Sequence, residues 1–210
     1  MHFFIECASL AALWVLYWTC HDRRRYLQQR IGEQAFKNVY QVGRNVCFML
    51  RRKELQIQGD LRPLDRGCVL YSFHFGVWEL MPFTLNKLGY RIGILVNKYR
   101  AEDGSVRTGI MDFLLRRWRA MNGVKVFYRE NVLGIVRFLH AGGVFGMLVD
   151  GNDFFQKYDK ASKLAKLGGV PLVPFAAYRR VGGGRLHIGC DIPALVRAMP
   201  LDYVWFYRSR

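Results

Sequence analysis

His74 and Glu79, five residues apart in the stretch CVLYSFHFGVWELM at positions 68–81, are the first residues whose types and spacing could do chemistry. An imidazole held on one ring nitrogen by a carboxylate keeps a fixed tautomer, and its other nitrogen can then take a proton from a hydroxyl. Spacing alone is weak, because with 16 acids in 210 residues a given histidine meets an acid five positions on about one time in thirteen. Context narrows the field. Val69 to Phe73 is rich in β-branched and aromatic residues and reads as a buried strand, with His74 where that strand stops. Glu79 opens an expected helix whose apolar stripe runs through Leu80, Leu85 and Leu88, with Pro82 near its start, where a missing N–H breaks no hydrogen bond. On one continuous helix, residues five apart point about 140° away from each other. The two groups can therefore meet only across a strand-to-helix bend, which Gly76 would supply. The expected arrangement is a His74 base oriented by Glu79; a core histidine capped by a helix-start glutamate fits the same residues.

Three other ionic positions fall near expected strand ends. Val144 to Val149 reads as a buried strand with Asp150 at its carboxyl end, and Val124 to Phe127 as a short strand preceded by Arg119 and followed by Arg129. Ligands of open α/β sheets bind beyond the carboxyl ends of the strands, so His74 and Asp150 could face one cleft. A cation at Arg119 or Arg129 could hold a phosphate or the oxyanion of a thioester under attack. A loop or helix cap at Asp150 and plain surface charges at the arginines fit equally well.

The elements that must position these groups alternate along the chain. Tyr90 to Val96 reads as a second strand, and Ile110, Phe113, Leu114, Trp118 and Met121 give a helix its buried stripe. Asn131 can cap a helix with the stripe Val132, Ile135, Val136 and Leu139, closed by Gly142 and Gly143. A helix is expected over about 161–167, then a strand in PLVPFAAYRR and a hairpin through Gly182 to Gly184 into RLHIGC. His21 to Arg66 is basic and reads as helical, with Phe36, Val39, Tyr40, Gly43, Val46 and Cys47 recurring at helical spacing, and DLRPLDR at 60–66 reads as a turn. The expected fold class is α/β, a single domain with a largely parallel central sheet flanked by helices. No Walker-type loop is present, and the glycines of HAGGVFG precede a strand, the wrong order for a dinucleotide site.

Residues Phe3 to Cys20 are apolar except for Glu6 and a few small polar residues, a helix's length of about 27 Å, close to the thickness of a bilayer's hydrocarbon layer. Trp14, Tyr17 and Trp18 lie toward the end that Arg23, Arg24 and Arg25 follow. Aromatic residues and then positive charge on one flank are expected of an N-terminal hydrophobic anchor helix, residues 1–22, with residues 23–210 as a domain in the cytoplasm. A buried first helix of a soluble domain is the alternative.

The 51% hydrophobic and 15% aromatic content excludes a disordered chain, and the 32 Lys and Arg against 16 Asp and Glu, net +16, call for an anionic partner. Anionic lipid, an acidic carrier protein and nucleic acid all qualify. The five cysteines form no CxxC pair and no cluster with histidines at zinc spacing, so no metal is implied and they read as small apolar residues of a reducing compartment.

The block His74-Phe75-Gly76-Val77-Trp78-Glu79 resembles the His-x4-Asp/Glu motif of the glycerolipid acyltransferase superfamily, and its HFG-x-WE form is most similar to the lipid A biosynthesis lauroyl/myristoyl acyltransferases. RRWRAMNGVKVFYREN and GGVFGMLVD, within Arg116 to Asp150, resemble that family's second and third blocks. Arg119 matches its functional arginine and Asp150 its functional aspartate, with Arg129 matching less closely. AFKNVYQVGRNVCFML, ending at Leu50, and the closing YVWFYRSR are also similar to family segments. Two departures stand out: the chain is shorter than a full member, mostly before His74, and DGNDFFQKYDKASKLAKLGG replaces the family's Phe-Gly and Ala/Thr-rich stretch after the aspartate. The resemblance implies an enzyme, a membrane-associated O-acyltransferase on the cytoplasmic face of a bacterial inner membrane. It would move an acyl group from an acyl-carrier protein or CoA thioester to a hydroxyl of a lipid A-type acceptor, with His74 as base and Glu79 orienting it. No cofactor beyond the acyl donor and no nucleic-acid partner is expected. Other lipid acceptors, a non-catalytic basic membrane-binding protein and a soluble nucleic-acid binder are the competing readings.

Overall fold

A computed structural model describes residues 34–51, 54–96, 117, 119–120, 123–150 and 154–203. The expected anchor at 1–22 lies outside these residues, as does most of the expected helix over 110–121. Among the described residues no helix is long and apolar enough to cross a membrane.

The chain runs α1 (Gln34–Leu50), β1 (Leu55–Gln58), β2 (Cys68–Ser72), α2 (Met81–Lys87), β3 (Ile92–Val96), β4 (Lys125–Tyr128), α3 (Val132–His140), β5 (Val144–Leu148), α4 (Phe154–Leu167), β6 (Leu172–Arg180), β7 (Gly183–Ile188) and α5 (Ile192–Ala198). The strands form one sheet in the order β1-β7-β6-β2-β5-β3-β4. Every neighbouring pair is parallel except the β6–β7 hairpin. The fold class is thus α/β with a mostly parallel sheet.

Both faces of the sheet are covered, which is why β2 and β5 read as unbroken apolar runs instead of alternating ones. Leu70, Ile94, Phe175 and Leu186 pack with Leu80, Met81 and Leu85 of the α2 side. The alternate residues Val69, Phe145 and Met147 pack with Ile135 and Leu139 of α3 and Ala161 and Ala165 of α4. Phe75, Phe145 and Phe175 are fully buried, each worth roughly 1.5–3 kcal/mol over an exposed position.

Local signals fix several boundaries. The Asn131 side chain accepts from the Gly134 amide at 3.0 Å and starts α3, as its position before the apolar stripe predicts. Three segments differ from expectation. LQIQ, inside the basic region read as helical, is strand β1, because β7 offers it a parallel edge. Helix α4 begins at Phe154, well before Ala161, its first seven residues, FFQKYDK, mixing aromatic with charged and amide side chains. In α1 the residues expected to face the core include Tyr40 and Val46, which are exposed, whereas Asn38 and Asn45 are buried.

Candidate active site

The parallel register of β2 and β5 pairs Ser72 with Leu148, and the Val149 amide donates to the Ser72 carbonyl at 2.9 Å. Two residues further on, the same alignment brings His74 beside Asp150, beyond the carboxyl ends of adjacent central strands. The Asp150 carboxylate is 2% exposed. Its Oδ1 lies 2.7 Å from His74 Nδ1, and its Oδ2 accepts from the His74 backbone N–H at 2.8 Å. Gripping both the ring and the main chain of one residue, a carboxylate fixes Nδ1 as the protonated nitrogen and orients Nε2 for proton exchange with a substrate.

Glu79 is not the partner of His74. It lies in a 3₁₀ turn, Trp78–Leu80, one turn before α2, and forms an ion pair with Arg119, whose Nε donates to Oε2 at 3.0 Å and whose Nη2 donates to Oε1. Gly76 explains the correction. Its φ is +62°, and a Cβ there would stand 2.3 Å from the Ala177 carbonyl oxygen, so only glycine lets the chain approach β6 this closely. The Gly76 amide bonds to the Asp202 carbonyl and the Val77 amide to the Ala177 carbonyl. These bonds draw residues 75–77 onto β6 and the turn after α5, and Glu79 emerges toward Arg119 instead of folding back onto the imidazole.

His74, Glu79, Arg119 and Arg129 all line one cavity of about 600 Å³. Its walls are largely apolar, from Met81, Ile94 and Leu148 to Ile135, Leu164 and Leu167. Lysines 157, 160 and 163 of α4 also line it; along that helix, Lys157 to Leu167 covers about 15 Å. Lys157 Nζ donates to the Asp150 carbonyl at 2.5 Å, tying the helix to the dyad. The ring of Trp78 packs edge-on against His74, centroids 5.4 Å apart. All five expected site residues thus belong to one locality, with Asp150 and Glu79 in exchanged roles. Among the described residues no group of His, Cys, Asp and Glu could hold a metal ion.

Tyr203 belongs to the site although its spacing gave no sign of chemistry. Its ring packs on that of Phe73, centroids 6.1 Å apart, next to His74. Burial first, and then the neighbouring Asp150 charge, hold the phenol well above its ordinary titration range. The thiols of Cys68 and Cys190 are pushed up to about 12 and about 11 by burial, which makes them poor nucleophiles.

The arrangement has the parts of a general base: an oriented imidazole, a buried carboxylate behind it, and an apolar cavity with a cationic side. Compared with models of known protein families the chain matches none. No curated protein matches it either.

Proposed function

We propose that the chain is a membrane-associated O-acyltransferase of the lauroyl/myristoyl lipid A type, using a His74–Asp150 base. The observation that carries this reading is the 2.7 Å contact between His74 Nδ1 and the buried Asp150 carboxylate, with His74 opening on a largely apolar cavity. Nε2 takes the proton of an acceptor hydroxyl, and the oxygen forms a bond to the thioester carbonyl carbon. The C–S bond breaks as the tetrahedral intermediate collapses, and the leaving thiolate takes the proton back from Nε2. Nδ1–H stays on Asp150 throughout, so the imidazolium formed midway faces a negative charge. A positioned base of this kind contributes roughly 10²- to 10⁴-fold to rate.

Arg119, oriented by Glu79 and lining the same cavity as His74, would stabilise the oxyanion of the intermediate. The apolar walls suit an acyl chain. Arg129 and lysines 157, 160 and 163 suit an anionic headgroup or an acidic acyl-carrier protein. Residues 1–22 would anchor the chain, with the domain at 23–210 on the cytoplasmic face of a bacterial inner membrane.

The test is to incubate membranes containing the protein with labelled acyl-carrier-protein and CoA thioesters and identify labelled lipids by mass spectrometry. An O-acylated, phosphate-bearing glycolipid is the expected product. A labelled lysophospholipid or aminolipid product would move the acceptor to another class. Membrane binding with no labelled lipid from either donor would leave a non-catalytic basic membrane protein.

A further inference from the structure

We infer that the hollow between α1 and the β6–β7 hairpin docks on an anionic phospholipid bilayer, an inference that rests on the membrane association proposed above and not on acyl transfer. Arg44 and Arg180 take up lipid phosphates there, and Val181 at the hairpin tip enters the lipid.

This hollow, of about 880 Å³, shares no lining residue with the cavity at His74. Gln41 and Arg44 of α1 form one wall, residues 179–181 of the hairpin a second, and Met199 to Leu201 after α5 a third. Each arginine lies over an aromatic ring: Arg44 over Tyr40 at 5.8 Å, Arg179 over Phe48 at 5.2 Å and Arg180 over Tyr178 at 5.7 Å from the centroid. Arg179 Nη1 also donates to the Arg44 carbonyl at 3.0 Å, which fastens the hairpin to the helix. Among the described residues no ion pair joins Arg44 or Arg180 to a carboxylate. Asp202, also in the wall, accepts instead from Gln41 and Asn45 at 3.0 and 2.7 Å.

A phosphate by itself would need only the cations. The hairpin adds Val181, which is 99% exposed immediately after Arg179 and Arg180, and Tyr40 beside Arg44 is 45% exposed. Cations set among an unburied apolar and an aromatic side chain match the layers of a bilayer surface, phosphate above hydrocarbon. Dissolved phosphate offers nothing to Val181. The direction of the hairpin agrees. Strand β6 runs parallel to β2, and Ala177 bridges Gly76; Arg180 lies three residues further on, about 10 Å in an extended strand. The tip therefore rises past the sheet edge that carries His74 and Asp150. A bilayer under the tip meets the edge from which a lipid would reach the imidazole.

The full chain is titrated with vesicles of phosphatidylcholine alone and of phosphatidylcholine mixed with phosphatidylglycerol. The readout is the ratio of the two half-binding lipid concentrations, from which any apolar contribution of residues 1–22 divides out. Each cation at an anionic surface is worth about fivefold in binding, so Arg44→Gln with Arg180→Gln should lower the ratio by roughly 25-fold. Arg66→Gln with Lys166→Gln removes the same charge from exposed positions just before β2 and β6, at the opposite edge of the sheet, and should leave the ratio near the wild-type value. Val181→Asp disturbs no packing, since the side chain is almost wholly exposed, and should lower the ratio as well. No acyl donor is present, so failure of the docking surface and failure of acyl transfer show in different experiments. A wild-type ratio near one, an equal fall in the two double variants, or an unchanged ratio in Arg44→Gln with Arg180→Gln or in Val181→Asp would overturn the docking surface.

Discussion

Replacing Asp150 by Asn should cost far more than replacing Glu79 by Gln, although Glu79 stands in the position that local spacing favours. Both oxygens of Asp150 accept, one from His74 Nδ1 and one from the His74 amide. A carboxamide must turn an NH₂ group toward one of these donors, and if it faces the ring it forces the proton onto Nε2, the nitrogen needed as base. The charge is lost as well. A carboxylate and an imidazolium whose centres lie about 4 Å apart attract by about 4 kcal/mol at an effective dielectric constant near 20. At 1.36 kcal/mol per decade, this is on the order of 10³ in kcat. Glu79→Gln keeps one acceptor for Arg119 and leaves the dyad untouched, so kcat should fall by no more than about tenfold, with a rise in KM if Arg119 shifts. The assay is steady-state transfer from a saturating acyl thioester, on variants whose fold is checked by circular dichroism. If Glu79→Gln lost 10³ while Asp150→Asn stayed within tenfold of wild type, the exchange of roles drawn from the geometry would be wrong.

Two further outcomes concern the frame. Gly76→Ala forces a side chain into a φ of +62° and a 2.3 Å approach to backbone; it should destabilise the fold by at least about 2 kcal/mol, read from urea denaturation, and reduce transfer in proportion to the misplacement of His74. Cys68 supplies an alkaline signature. Its thiol titrates at about 12 when folded against 9.0 in an unperturbed chain. Below pH 9 the thiol is protonated in both states and its share of stability is intact. Between pH 9 and 12 only the unfolded thiol ionises, so stability falls by an amount on the order of 4 kcal/mol. Denaturant titrations at pH 8 and pH 11 should show a smaller loss for Cys68→Ala than for wild type, and equal losses would contradict the assignment.

Much of this frame is readable in the sequence because its causes are local. The apolar runs of β2 and β5 announce buried strands, Asn131 announces the start of α3, and the last residues of those strands place His74 and Asp150 at the edge where α/β sheets bind ligands. Their pairing is not local. It follows from β5 lying beside β2 in the sheet, and strand order leaves no trace in the spacing of residues. A carboxylate five positions away competes on paper with one 76 positions away; in three dimensions the parallel register decides. The same holds for α1. Asn38, Gln41 and Asn45 look solvent-facing by composition, yet they are turned inward because the segment at 201–203 presents carbonyls and a carboxylate that need donors.

The most direct test of the central claim is turnover by His74→Ala in membranes supplied with labelled acyl-carrier-protein thioester, measured beside wild type at equal membrane-bound protein. Labelled lipid should fall by roughly 10²- to 10⁴-fold while the amount of protein on the membrane is unchanged. Labelled lipid near the wild-type level in that variant would contradict it.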